Sequence, residues 1–342
     1  MKRPVSFRIP MRAEKSIYFG LLLAALFNLT FAASAAERHF RVAYPAAAIS
    51  WLPIWAARDV GFFRKYGADI ELVAVGSSTR GLAALISDQV DILAGGAPGT
   101  VGAYLQGYSD LTLFGNLVRT FVFSVYTTPS ITEVQQLRGK RIGVTRFGGT
   151  LDFASRLYLK RKGLEPTKDV VLIQIGEVSD IVRALITGAV EAGTIGVPQN
   201  FVAKSKGLRE LADLSAMGDR YAFIPFTAKK SFLAKNRDFT NNFIKALIEA
   251  IHYLRGNPRE GTDLLRRYTR IDATDVLRQA YDLYVNNLFS KVPDIQPEDL
   301  QLVLEELAGS NPKAKSANAR DFIQDRWVND IVRSNFVDQI YR

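Results

Sequence analysis

The 342-residue chain contains no cysteine. That excludes disulfides, thiolate nucleophiles and cysteine-bound metal. It also excludes the lipid-modified N-terminal cysteine that tethers some exported proteins. Histidine is almost as scarce: His39 and His252 are the only two. They stand far apart, and without cysteine or grouped carboxylates they suggest no transition-metal site. No cofactor is expected. The chain has no phosphate-binding Walker loop, no Gly-x-Ser-x-Gly elbow and no His-Glu-x-x-His pair. With no nucleophile–base pair to be found either, enzymatic chemistry is not the expectation. Charge is not concentrated: lysine and arginine are spread along the chain without a dense basic cluster, so nucleic acid is not an expected partner.

One segment differs in kind from the rest. Lys2, Arg3, Arg8, Arg12 and Lys15 form a basic head, followed by the apolar run 17–32 and the small-residue pattern Ala33-Ser34-Ala35. That order predicts a secretory signal peptide over residues 1–36, cleaved near Ala35 or Ala36. Its 16 apolar-run positions include Asn28, and the run is short for a membrane span of about 20 residues. A free, cysteine-free exported chain is expected in the periplasm of a Gram-negative cell. Residues 1–36 hold five basic and one acidic side chain, so the formal charge of +10 falls to +6, 39 against 33, once they are removed. A mildly positive surface could help gather anionic solutes, but solvated helix faces are the favoured account of it. The remaining length suits two ordinary domains.

A repeat links residues 41–98 with 141–198. Shifted by 100, residues 70–98 and 170–198 share eight identities in 29 positions: Leu72/Leu172, Gly76/Gly176, Ala84/Ala184, Leu85/Leu185, Ile86/Ile186, Val90/Val190, Gly96/Gly196 and Pro98/Pro198. Ordinary composition predicts about two. The register extends back to Arg41-Val42 against Arg141-Ile142. Each copy reads as short β-branched or apolar strands separated by helical patterns: strands 40–44, 69–75 and 90–94, then 141–145, 170–175 and 190–195. Helical patterns at 52–59 and 153–162 lie between them. This alternation predicts an α/β fold of two lobes with parallel sheets. Loops at the carboxyl ends of the strands would face each other across a cleft. The runs 119–127 and 221–227 read as two extended crossings, a hinge able to close the lobes. The tail reads as helices over 238–255, 258–268, 273–290, 297–307 and 321–334, packed on the first lobe.

Several stretches in order resemble one known family. They are Leu52-Pro53-Ile54-Trp55-Ala56-Ala57-Arg58-Asp59-Val60-Gly61-Phe62-Phe63, Tyr66-Gly67-Ala68-Asp69-Ile70-Glu71-Leu72, residues 84–91, Leu137-Arg138-Gly139-Lys140-Arg141-Ile142-Gly143-Val144 and Gly149-Thr150. Together they resemble the nitrate/taurine/sulfonate binding proteins of ABC importers, a group that includes relatives of thiamine-precursor binders. The resemblance implies a type II periplasmic-binding-protein fold with two α/β lobes, two hinge crossings and C-terminal helices. It divides the chain into lobe I (37–122, then 223–342) and lobe II (123–222). The implied role is capture of a small molecule by hinge closure and delivery to the permease subunits of an importer, with the receptor expected as a monomer. A small organic anion, such as a sulfonate or carboxylate, is the expected ligand. A neutral pyrimidine-like heterocycle, or service to a membrane sensor, stays open. Enzymatic relatives use cysteine chemistry, which this chain cannot perform.

The resemblance implies ligand contacts from the loop after each strand, and the residues there have suitable chemistry. Arg146-Phe147-Gly148-Gly149-Thr150 opens a helix after a strand: glycine admits close backbone approach, Thr150 can cap, and Arg146 can hold an oxyanion in two-point fashion. A plain helix-opening loop, with Arg146 paired to Asp152 or solvated, is the competing reading. Ser77-Ser78-Thr79 offers three hydroxyls or a simple N-cap, and Gly96-Ala97 offers backbone donors or a tight turn. Ser50 and Trp51 can wall the cleft or belong to the core, while Arg119 and Phe121 lie on the outgoing crossing. Two positions depart from the family pattern and bear on ligand identity. Glu177 follows Gly176 where many members have a glycine pair, and Val197 stands between Gly196 and Pro198 where many have Trp-Glu-Pro.

Overall fold

The computed structural model describes residues 39–342, and Met1. The expected signal peptide lies outside the described residues. Ten strands form two separate five-stranded sheets. The first sheet has order β2-β1-β3-β10-β4, from β1 (Phe40–Tyr44), β2 (Ile70–Ala74), β3 (Ile92–Ala94), β4 (Leu111–Asn116) and β10 (Pro225–Lys229). The second has order β7-β6-β8-β5-β9, from β5 (Phe123–Thr127), β6 (Arg141–Val144), β7 (Val171–Gln174), β8 (Ala192–Gly196) and β9 (Arg209–Asp213). Within each, three strands run parallel and the strand arriving from the other lobe pairs antiparallel: β10 on β3 in the first, β5 on β8 in the second.

Around the first sheet lie α1 (Leu52–Ala56), a π-turn over Ala57–Gly61, α2 (Phe62–Lys65), α3 (Ser78–Ile86) and α4 (Ala97–Leu105). Around the second lie α5 (Thr150–Arg161), α6 (Val178–Ile186) and α7 (Gln199–Ser205). The tail adds α8 (Lys230–Lys235), α9 (Arg237–Gly256), α10 (Pro258–Thr269), α11 (Thr274–Tyr281), α12 (Glu298–Leu307), α13 (Arg326–Arg333) and α14 (Phe336–Ile340). In α9, Phe243, Leu247, Ile251 and Leu254 recur at helical spacing and are fully buried. That face rests on α1 and α2, which fastens the tail to the first lobe.

The repeat extends to individual hydrogen bonds. The N–H of Arg41 donates to Asp91 Oδ2 at 2.8 Å, and that of Arg141 donates to Glu191 Oε2 at 2.9 Å. The acids answer with their own N–H groups to the Arg41 and Arg141 carbonyls, at 2.9 and 3.0 Å. Both central helices end alike, Ser87 and Thr187 donating their hydroxyls to the carbonyls of Ala83 and Arg183 at 2.9 and 3.1 Å. Each pairing shuts off a helix C-terminus and launches the next strand.

Two crossings join the lobes, residues 117–122 outward and 218–224 back. They bond to each other: Leu117 N–H to the Ile224 carbonyl at 3.0 Å, Phe223 N–H to Val118 at 3.1 Å, and Tyr221 N–H to Arg119 at 3.1 Å. The returning strand therefore starts at Pro225, later than the expected 221. The helix expected over 273–290 is α11 followed by a π-turn over Asp282–Leu288. The expected last helix begins at Arg326, with a short 3-10 turn (Ala319–Phe322) before it.

Candidate functional site

Between the sheets lies a cavity of about 690 Å³, within the range of small-molecule sites. Strand ends from both lobes open onto it: Tyr44, Ala74 and Gly95 from one side, Thr145 and Gly196 from the other. The helix N-termini that follow them do the same. Ser77 and Ser78 begin α3, Thr150 and Leu151 begin α5, and Glu177, Val178 and Ser179 begin α6. First-turn N–H groups have no partner inside their own helix, so they present donors and a partial positive charge to whatever occupies the gap. The lobes approach closely here. A Cβ on Gly149 would sit 3.3 Å from Ser78 Oγ and 3.5 Å from Thr79 Oγ1, so the two loops meet here at close to van der Waals contact.

The walls are aromatic. Trp51, Tyr44, Tyr268 and Tyr284 line the first-lobe side, with Phe123 and Phe223 beside the crossings. Tyr268 is held rigidly: it stacks on Trp55 with ring centroids 4.2 Å apart and donates to Asp59 Oδ1 at 3.1 Å. Arg58 and Arg267 bind the same carboxylate at 2.7 and 3.0 Å. Tyr284 comes from the π-turn after α11 and shares a 3.3 Å hydrogen bond with Ser50. Burial pushes the hydroxyls of Tyr44, Tyr268 and Tyr284 above the usual tyrosine value. All three are neutral hydrogen-bonding groups at physiological pH. The charged side chains on the lining are Glu177, Arg183 and Arg270.

Of the residues expected at a site, Ser50, Trp51, Ser77, Ser78, Thr150, Glu177 and Val197 line the cavity. The others lie outside its lining, for identifiable reasons. Gly96 and Ala97 are buried at the start of α4, Gly96 in the left-handed conformation. Thr79 is exposed on the outer side of the α3 terminus, and Gly149 is buried where the loops touch. Gly148 gives its N–H to Asp152 at 2.9 Å, and Phe147 turns outward, 45% exposed, with Arg156 over its ring. Arg146, the expected anion contact, is half-buried beside this loop; Asp152 pairs instead with Arg156 at 2.8 Å. Arg119 turns to Asp294 and Asp299 at the hinge, and Phe121 is fully buried against Tyr221, centroids 4.2 Å apart.

Sequence reasoning missed the tail's contribution. Tyr268 and Thr269 end α10, Arg270 follows it, and Tyr284 lies in the π-turn after α11. The tail is expected from sequence only to pack on the first lobe, and nothing local marks these four residues. Tyr44 and Thr145, by contrast, close strands the repeat had already placed. Among the described residues no group of three or more histidine, aspartate or glutamate side chains could hold a metal ion.

Two mixed α/β sheets, two paired crossings and one cleft between strand ends define the two-lobed periplasmic-binding-protein class. Within that class the chain belongs to the NMT1/THI5-like family, whose model matches residues 49–261. Among curated proteins it is 24% identical over 283 residues to YtlA of Bacillus subtilis, covering 80% of this chain and 84% of that one. It is 25% identical over 224 residues to a 4-amino-5-hydroxymethyl-2-methylpyrimidine phosphate synthase of Saccharomyces cerevisiae, covering 60% of this chain and 64% of the synthase. Among solved structures it superposes on the alkanesulfonate-binding protein SsuA of Xanthomonas axonopodis pv. citri, bound to MOPS, with a TM-score of 0.70 at 17% identity. That match covers 85% of this chain and 100% of the other.

Proposed function

We propose that the protein is a solute-binding receptor which captures a small organic anion between its lobes and delivers it to the membrane subunits of an ABC importer. It works as a monomer in the periplasm, with lobe I formed by 37–122 and 223–342 and lobe II by 123–222. The observation that carries this reading is the convergence of α3, α5 and α6 N-termini from opposite lobes on one cavity. Backbone donors fixed on two bodies favour a ligand that touches both, and such a ligand biases a hinge toward closure; one touching a single lobe does not. The aromatic walls suit an apolar body behind the charged group. SsuA, of like fold, was solved with a sulfonate, MOPS.

A second reading, a neutral pyrimidine-like heterocycle, draws on the same aromatic walls and on the similarity to the yeast pyrimidine phosphate synthase. A thermal-shift screen of exported protein against sulfonates, carboxylates, nitrate and pyrimidines separates the two. The anion reading expects stabilisation by one or more sulfonates or carboxylates. Stabilisation by uncharged heterocycles alone would replace it with the second.

A further inference from the structure

We infer that Arg270, from the C-terminal helices, is the residue that recognises the ligand's negative charge. This rests on the anion reading of the cleft. Of the two arginines on the lining, Arg183 has an exposed ion-pair partner one helical turn away, Asp180 at 2.9 Å. Arg270 has no ion pair, side-chain hydrogen bond or ring contact among the described residues, although it is exposed at the cavity wall. Arg146, the arginine the sequence favours, lies outside the lining.

The backbone at Arg270 is unusual. It follows the last residue of α10 at φ 56° and ψ 32°, the left-handed region, with its N–H bonded to the Arg266 carbonyl at 2.9 Å. Helices commonly end this way on glycine or asparagine, because a larger side chain is strained there. A long cationic residue at such a position asks for a reason beyond ending the helix. The helix supplies one bland reason, since a cation is favourable near a helix C-terminus. The cleft supplies another. Two residues earlier, Tyr268 is locked by its stack on Trp55 and its bond to Asp59, so the left-handed turn starts from a fixed point. Arg270 is thereby held on the cavity lining, from which its guanidinium can offer parallel donors to a carboxylate or sulfonate.

The two reasons make different predictions for Arg270→Gly, which removes the cation and relieves the backbone strain. Titration calorimetry would use exported full-length mature protein with benzoate, benzenesulfonate and neutral benzamide, alongside the best anion from the screen. The inference expects the best anion to bind at least tenfold more weakly to Arg270→Gly, with the melting temperature unchanged or raised. Arg270→Lys should recover part of the loss, and the wild-type anion affinity should fall with added NaCl while the glycine variant's does not. Unchanged anion affinity in Arg270→Gly, or an equal loss for benzamide, would overturn the role of Arg270 alone. Failure of wild-type protein to bind any anion while it binds neutral rings would instead remove the reading beneath it.

Discussion

Asp299 is a single carboxylate that ties three segments together. Its side chain is fully buried and accepts from Arg220 at 2.9 and 3.1 Å and from the Gln296 N–H at 2.9 Å, with Arg119 at 3.6 Å. Arg119 sits on the outgoing crossing, Arg220 on the returning one, and Asp299 in the first turn of α12. Replacing it by alanine strips the charged hydrogen bonds but leaves both guanidiniums partly solvated, so Asp299→Ala should cost about 2–3 kcal/mol in urea unfolding. Asp299→Asn, which keeps the shape, should cost less. The same residues show what the sequence could not convey. Position on a strand end or a crossing was legible for Arg119 and Arg146, but side-chain direction was not. Arg119 is drawn to partners some 175 and 180 residues further along the chain, and no local pattern announces such a pairing.

At the scale of elements, the offset of 100 was the strongest signal, and its physical basis is a repeated corner. Arg41 with Asp91 and Arg141 with Glu191 make the same bonds because each acid must satisfy the N–H that starts a parallel strand. Arg141, bonding through its side chain at 3.1 Å, holds the Glu191 carboxyl below the usual glutamate value. A carboxyl depressed by folding contributes stability above its unfolded value, about 4.3, and loses it as pH falls through the folded value. Glu191→Gln should therefore melt below wild type at pH 7, and the gap should close below about pH 4, read by calorimetry. Strands β4 and β9 fell outside the sequence reading because they fall outside the repeat. β9 is an edge strand of mixed exposure, Arg-Glu-Leu-Ala-Asp, with no clean apolar alternation to announce it. The tail's cavity residues were illegible for a related reason. A π-turn and a left-handed helix end redirect them, and neither has a periodic signature.

Residues 39–342 form two lobes joined by paired crossings, and contacts outside the cleft bear on how the lobes are held. Lys160 of α5 reaches Glu306 of α12 at 2.8 Å, a link from lobe II to the tail of lobe I. Both ends are partly exposed, so the pair is worth little in stability, about 0–1 kcal/mol. Its geometric role is separable: Lys160→Glu should leave the melting temperature nearly unchanged yet shift the ligand-free protein to a wider lobe angle, and adding Glu306→Lys should reverse the shift. The stacked rings of Phe121, Tyr221 and Phe153 lie at the same hinge, centroids 4.2 and 5.5 Å apart. Phe121→Ala should cost about 3–5 kcal/mol through the cavity it leaves. Small-angle X-ray scattering, recorded on the exported protein with and without a saturating ligand from the screen, reads lobe closure itself. The radius of gyration should fall on binding, at one ligand per chain; tight binding with an unchanged scattering curve would contradict capture between moving lobes.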